Sequence, residues 1–222
     1  MKAQINGNPS FSHVHIDLAP GESIIAEAGA MQAMSADVDM KAITNGGFFS
    51  ALGKKVFGGE SFFVNRFSNQ LNEGEVRVTI AQDVPGDIIE HKLSGGQEIC
   101  LQRGAFLACT GEVKLKTSWA GFASWIGREG LVRLKASGTG TLWYGAYGAI
   151  IEREVDGDLK VDDGHLVAYD PDLKLKPAFA GGFVSTLFGG EGMVTRVVGR
   201  GKVYIQTRSI RGLAGWLNPK FR

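Results

Sequence analysis

The chain has 222 residues, of which 44% are hydrophobic and 21% charged, and this composition excludes a disordered chain and allows a core of real size. Its net charge of +1 gives no broad basic face for nucleic acid. Two cysteines are too few for a disulfide framework, so Cys100 and Cys109 are predicted to be buried thiols in a reducing compartment. The N-terminus lacks the apolar run of a signal peptide and no apolar stretch could span a membrane, which predicts a cytoplasmic protein.

An early predicted strand carries two histidines. Val14 and Ile16 alternate with His13 and His15, and this period of two predicts a half-buried strand whose histidines face outward. The pair is similar to half of the metal motif of the cupins, although the distance to Glu22 is longer than in that motif. His13 and His15 are therefore candidate metal ligands, with an outward-facing pair that binds no metal as the alternative.

One pattern occurs three times along the chain. It is a pentad of acid, apolar, any, apolar and lysine, and a Gly-Phe segment begins nine residues after each acid. The pentads occupy residues 37–41, 112–116 and 172–176. Their alternation predicts strands whose inward side chains are Val38 and Met40, Val113 and Leu115, and Leu173 and Leu175. A second apolar strand is predicted after each Gly-Phe segment, at 61–67, 131–136 and 193–199. Such shared spacing predicts three imperfect copies of one unit.

These elements predict an all-β fold. A unit of a few short strands cannot bury its own face, but three units side by side can. We therefore expect a β-sandwich or double-stranded β-helix-like body with internal pseudo-threefold symmetry, in one compact domain over 1–222 with units at roughly 1–92, 93–155 and 156–222. Asp156-Gly157 and Asp163-Gly164 predict turns that bracket a short strand. Short helical turns are predicted only at 48–57, 121–127 and 183–188.

Several segments resemble a known family. They are PGESIIAEAGAM at 20–31, VFGGESFFVNRF at 56–67 and the GGF…FGGEG copy at 181–192. Together they are similar to the altered-inheritance-of-mitochondria family of mitochondrial biogenesis proteins and its bacterial relatives. The resemblance implies an all-β fold like that of the tryptophan RNA-binding attenuation protein, with no established enzyme activity for the bacterial members. It associates the mitochondrial members with the inner membrane.

Motifs of catalysis are missing from the sequence. It has no G-x-S-x-G elbow and no P-loop, and the recurrent Ser50, Ser124 and Ser185 stand in apolar segments without a neighbouring histidine or acid. We predict a protein that is not an enzyme and needs no cofactor. Three carboxylates recur beside glycine, at Glu60, Glu129 and Glu191. They either face solvent or together bind a cation or a polar ligand.

The Gly/aromatic segments are the predicted interaction loops. Their aromatic and basic residues are Phe48, Phe49, Lys54, Lys55, Phe57, Phe122, Trp125, Phe183 and Phe188. These side chains either fill a core or form an exposed apolar surface for self-association or membrane contact. A similar composition returns at 211–217.

The sequence thus favours a non-enzymatic scaffold or binding protein that forms homo-oligomers or contacts a membrane surface or a protein partner through these loops. It would be cytoplasmic, or peripheral to a membrane. The alternative is a small-ligand or metal-binding β protein of cupin-like architecture. RNA binding by analogy of fold is a weaker alternative, because the repeated lysines at 41, 116 and 176 stand with acids on the same face.

Overall fold

A computed structural model describes residues 1–43, 63–102, 104–119, 132–162, 164–179 and 193–221, and these residues form an almost entirely β structure. The strands are β1 (Lys2–Asn6), β2 (His13–Leu18), β3 (Ser23–Glu27), β4 (Met31–Met34), β5 (Val38–Ile43), β6 (Val64–Asn69), β7 (Val76–Ala81), β8 (Ile88–Leu93), β9 (Glu98–Leu101), β10 (Phe106–Thr110), β11 (Val113–Trp119), β12 (Val132–Gly138), β13 (Gly140–Gly145), β14 (Ile150–Asp162), β15 (Leu166–Tyr169), β16 (Lys174–Phe179) and β17 (Met193–Gln206). An α-helix, α1 (Ile210–Leu217), and a 3-10 turn (Asn218–Lys220) follow β17. The predicted all-β class is confirmed.

The strands form three antiparallel sheets. Sheet A has the order β1-β2-β7-β4, sheet B the order β5-β6-β3-β10-β13-β8, and sheet C the order β11-β12-β9-β15-β17-β14, with β16 also paired to β17. Sheets B and C therefore each join strands that are far apart in the sequence.

The central strands of sheet B, β3 and β10, are buried on both faces. Ile24 packs in one apolar cluster with Val14 and Val78 of sheet A, whereas the next residue, Ile25, packs in another cluster with Leu101 of sheet C. Successive residues of a strand point to opposite faces, so sheet B lies between sheets A and C. This double burial explains why β3 and β10 are continuous apolar runs rather than alternating ones.

Sheet C encloses a third cluster by itself. Cys100 and Tyr169 pack there with Val161 and Val197, and all of these residues belong to sheet C. The long strands β14 and β17 pass continuously through the pair Gly157↔Gly199, whose φ angles of 110° and 132° glycine adopts without strain. The turn predicted at Asp156-Gly157 is therefore wrong, because this dipeptide lies inside β14. We call residues 156–162 the distal half of β14.

The same order of pairing recurs along the chain. Two arrangements of three neighbouring strands, which we call triplets, each occur three times. The first arrangement is found in β5-β6-β3, β11-β12-β9 and β16-β17-distal β14. The second is found in β2-β7-β4, β8-β13-β10 and proximal β14-β17-β15. The pentad strands and the strands that follow them are confirmed. The inward side chain predicted at Met40 is wrong, since Met40 is 45% exposed at the outer strand β5. The internal pseudo-threefold symmetry of the units stays a prediction.

Candidate interaction surfaces

The Gly/aromatic loops lie outside the described residues. This applies to Phe48, Phe49, Lys54, Lys55, Phe57 and Glu60 within 44–62, to Phe122, Trp125 and Glu129 within 120–131, and to Phe183, Phe188 and Glu191 within 180–192. Each segment connects two strands that pair up to their last described residues, as Ile43↔Val64, Trp119↔Val132 and Phe179↔Met193. Next to two of the segments, Phe63 and Phe179 are 60% and 61% exposed.

The two histidines of β2 lie on the outer face of sheet A. Val14 and Ile16 are fully buried while His13 and His15 are half-buried, so the predicted alternation is confirmed. The imidazole rings meet edge to face with centroids 4.9 Å apart, and Nδ1 of His15 lies 2.9 Å from Oγ1 of Thr79. Within the described ranges, no three His, Cys, Asp or Glu side chains come together as a metal site.

Two strand pairs join neighbouring triplets, and their central residues are buried. Strand β10 pairs with β3 so that Cys109 stands opposite Ile25, and β15 pairs with β9 so that Tyr169 stands opposite Cys100. All four side chains are at most 1% exposed. Burial raises the pKa of the Cys109 thiol to about 12, so this thiol is a packing group. The two predicted buried thiols are confirmed.

Two other strands, β4 and the distal half of β14, correspond to β10 and β9, but each has one edge that pairs with no described strand. Strand β4 lies beside β7 as β10 lies beside β13, but its other edge pairs with no described strand. Gln32, Ala33 and Met34 of β4 are exposed. The distal half of β14 lies beside β17 as β9 lies beside β12, and its other edge also pairs with no described strand. We call these two strands the free edges.

The C-terminal helix α1 presents an apolar face to solvent. Ile210, Leu213 and Trp216 are 54%, 37% and 62% exposed, and no residue of the helix is buried. Phe221, just beyond the 3-10 turn, is 81% exposed. The ammonium of Lys220 lies 4.7 Å from the centre of the Trp216 ring, a cation–π contact.

Sequence reasoning missed this helix because Gly212 and Gly215 lower its helix propensity. Two signals could have found it. Ser209 is an N-cap whose hydroxyl accepts a hydrogen bond from the backbone N–H of Gly212. Ile210, Leu213 and Leu217 also have the spacing of one helix face.

A buried polar cluster lies between sheets B and C. The hydroxyl of Tyr144 is buried and has no hydrogen-bonding partner among the described residues. Its ring lies 5.8 Å from that of Tyr204 and 6.2 Å from that of His91, centre to centre. Burial raises the pKa of the Tyr144 hydroxyl, helped by the nearby Tyr204, and burial lowers the pKa of His91. Burial therefore disfavours the charged form of each group.

Glu27 ends β3 in a partly buried position. Burial raises the pKa of its carboxyl group to about 7, and the negative charge of Asp83 adds to this shift. Among the described residues this is a carboxylate whose protonation changes near neutral pH. It marks the end of the buried pair β10·β3, where charge is disfavoured.

These features define an all-β protein of three antiparallel sheets, and its exposed apolar residues include those of a strand edge and of a terminal helix. A family model described as "Mitochondrial biogenesis AIM24" matches residues 3–208. The chain therefore belongs to this family, and the sequence resemblance is confirmed to that extent. The predicted likeness to the tryptophan RNA-binding attenuation protein stays a prediction.

Two relatives from Streptococcus pyogenes cover almost the whole chain. A protein of serotype M6, described as uncharacterized, is 29% identical over 226 residues, which span 98% of this chain and 90% of that protein. The X-ray crystal structure of a Streptococcus pyogenes protein matches with a TM-score of 0.77 and 29% identity, over 99% of both chains. Within the described residues, no helix is long and apolar enough to cross a membrane.

Proposed function

We propose that this protein is a non-enzymatic scaffold that assembles head to tail, the β4 edge of one copy pairing with the distal β14 edge of the next. One observation carries the proposal: both edges occupy places that are filled by strand pairing at β10·β3 and β15·β9 inside the chain. Membership of a family with an uncharacterized bacterial relative is consistent with this role but does not define it.

The internal pairs predict the register between copies. In sheet C, Leu115 stands opposite Ala136 and Ala136 opposite Ile99, whereas Leu175 stands opposite Val197 and Val197 opposite Leu159. Leu115 and Leu175 hold the same place in their pentads, so Leu159 corresponds to Ile99. The next residue of each strand corresponds as well, and Lys160 therefore holds the place of Cys100.

The place of Met34 follows from the segment that contains it. GESIIAEAGAMQAM at 21–34 aligns with GQEICLQRGAFLAC at 96–109, so Met34 holds the place of Cys109. Cys109 pairs with Ile25, and Ile25 holds the same place in its triplet as Cys100. The proposed ladder therefore puts Met34 of one copy opposite Lys160 of the next.

The residues at this contact suit a reversible association. Lys160 replaces the apolar side chains Ile25 and Cys100, and its long stem can lie along Met34. Its ammonium donates a hydrogen bond to the carbonyl oxygen of Phe179, 3.3 Å away, on the exposed surface. A lysine on an edge strand also limits uncontrolled pairing. Such a contact is weaker than the fully buried pairs inside the chain.

Light scattering after gel filtration tests the proposal through a charge exchange. Met34→Lys places two lysines opposite each other and should shift the protein to monomers, because like charges opposite each other destabilise a strand pair. Adding Lys160→Glu to Met34→Lys should restore assembly. The matched control is Met40→Lys, which changes an exposed methionine of β5 and should leave assembly intact. A monomeric native protein, or a double variant that stays monomeric, would reject the proposal.

The Gly/aromatic loops remain a further proposed contact of the same scaffold. Phe63 and Phe179, which flank two of them in the sequence, are exposed, and this is consistent with an apolar surface. Substituting serine for Phe49 and Phe183 together would test it. Assembly or membrane contact should weaken if these loops contribute, and should be unchanged if their aromatics only fill a core.

A further inference from the structure

We infer that α1 and the residues that follow it form a surface-binding element for anionic lipid bilayers. This inference goes beyond the proposed scaffold and does not depend on it, since it involves neither free edge. It rests on the exposure, the apolar pattern and the charge of the C-terminal segment.

The helix has one continuous apolar face. Ile210, Leu213 and Leu217 follow at intervals of three and four residues, and Trp216 extends the face on one side. Arg211 lies away from this face, about 150° from its centre in an ideal helix of 3.6 residues per turn. A helix with an apolar face and a cationic back lies flat in the boundary between lipid headgroups and acyl chains.

An uncovered helix of this composition is unfavourable in water. It has eight residues, and isolated helices shorter than about 12 residues are marginal even in sequences of high helix propensity. Gly212 and Gly215 lower its stability further. A surface that takes up Ile210, Leu213 and Trp216 would supply the burial that the described fold does not give them.

The charge of the segment selects an anionic surface. No Asp or Glu follows Glu191 in the sequence, whereas four cations stand from residue 208 onward, namely Arg208, Arg211, Lys220 and Arg222. The chain as a whole has a net charge of only +1, so this excess of cations is local. The contact of Lys220 with the Trp216 ring joins an aromatic side chain to a cation, both of which are favoured at the membrane interface.

The helix is also separate from the part of the chain that the family model matches. That match ends at residue 208, before the N-cap Ser209. The residues that define the family match therefore do not include this helix.

Flotation with vesicles tests the inference. The full-length protein is mixed with vesicles of phosphatidylcholine alone or with 30% phosphatidylglycerol, about a third of the lipid being anionic. We expect flotation with the anionic vesicles only, and a loss of binding when salt is raised, because screening shortens the reach of surface charge. Trp216→Ser with Leu213→Ser should abolish flotation. Arg211→Gln should weaken it about fivefold, the effect of losing one cation near an anionic surface.

Two matched controls separate this result from a general effect. Phe11→Ser changes an apolar residue that is 72% exposed elsewhere, and Arg153→Gln removes an exposed cation of β14; both should float like the native protein. Absence of native flotation, or equal flotation of the Trp216 and Leu213 variant, would overturn the inference. If that variant instead lost self-association, a second copy would be the partner of the helix and the bilayer would be rejected.

Discussion

The buried strand pairs β10·β3 and β15·β9 and the two free edges occupy corresponding places in the fold but have opposite surroundings. Cys109, Ile25, Tyr169 and Cys100 are at most 1% exposed. Their counterparts are a methionine, Met34, that is 38% exposed, and an exposed lysine, Lys160. Strand order alone does not explain this difference, because β4 and the distal half of β14 lie beside strands that correspond to the neighbours of β10 and β9.

The difference shows what completes such an array. Inside the chain, an outer strand of one triplet pairs with an outer strand of the next triplet, and the paired side chains are buried. At the two free edges no described triplet follows, and the corresponding side chains are the exposed Met34 and Lys160 in place of buried apolar ones. Charge at the distal half of β14 keeps that edge soluble while leaving its backbone able to pair.

The largest expected effect is a lysine placed in a buried pair. Cys109→Lys would bury an unpaired charge in the core between sheets B and C, and we expect a loss of about 3–5 kcal/mol in the free energy of unfolding, or failure to fold. Met34→Lys, at the corresponding place in β4, should change the stability of the monomer by less than about 0.5 kcal/mol. Urea unfolding of both variants, in dilute solution, compares the two places. Equal losses of unfolding free energy in the two variants would contradict the difference between the buried pair and the free edge.

The next effect concerns Glu27, at the end of the buried pair. Its folded pKa of about 7 lies above the ordinary value of 4.5. Below pH 4.5 the Glu27 carboxyl is protonated in both the folded and the unfolded state, so its burial costs no ionisation energy and the free energy of unfolding is not reduced. Between pH 4.5 and 7 the unfolded state ionises while the folded state keeps its proton, so stability falls and then stays low.

Replacement of Glu27 should therefore act only at high pH. Glu27→Gln should raise the free energy of unfolding by about 1–3 kcal/mol at pH 8 and leave it unchanged at pH 4. Asp162→Asn, at the exposed end of β14, is the matched change at a free edge and should have little effect at either pH. A gain from Glu27→Gln at pH 4 would show that ionisation is not the cause.

A smaller effect is expected from His91. Burial lowers its pKa, so the folded state disfavours the protonated ring. Stability contributed by neutral His91 is present above the ordinary pKa of about 6.5 and is lost as the pH falls below it. His91→Gln should flatten the stability profile between pH 7 and 5. An unchanged profile would mean that this ring is not the group responsible.

The smallest effect on stability belongs to the helix. Trp216 is 62% exposed, so Trp216→Ser should change the free energy of unfolding by less than about 0.5 kcal/mol. Thermal unfolding in the absence of lipid measures it. A loss of 2 kcal/mol or more would mean that the ring is packed against the fold.

The sequence allowed the all-β class and many strands to be predicted because alternation is a local signal. Val113 and Leu115 are buried as the pentad predicts, and Val14 and Ile16 separate from the histidines as expected. The pairing of β10 with β3, and the absence of a second partner for β4 among the described strands, could not be predicted, since both depend on contacts distant in the sequence. Asp156-Gly157 was misleading because its paired glycine, Gly199, lies 42 residues away. The helix was obscured by two glycines.

Disulfide trapping between copies tests head-to-tail pairing most directly. Met34→Cys and Lys160→Cys are made in separate preparations, mixed and oxidised; paired positions on neighbouring strands lie about 4.5–5.5 Å apart, within the range of a disulfide. We predict a covalent dimer from the mixture only, and much less from Met34→Cys mixed with Asp158→Cys, which is out of register. The native cysteines are buried and should not interfere. Absence of the mixed dimer, or equal trapping of the Asp158 variant, would contradict head-to-tail pairing.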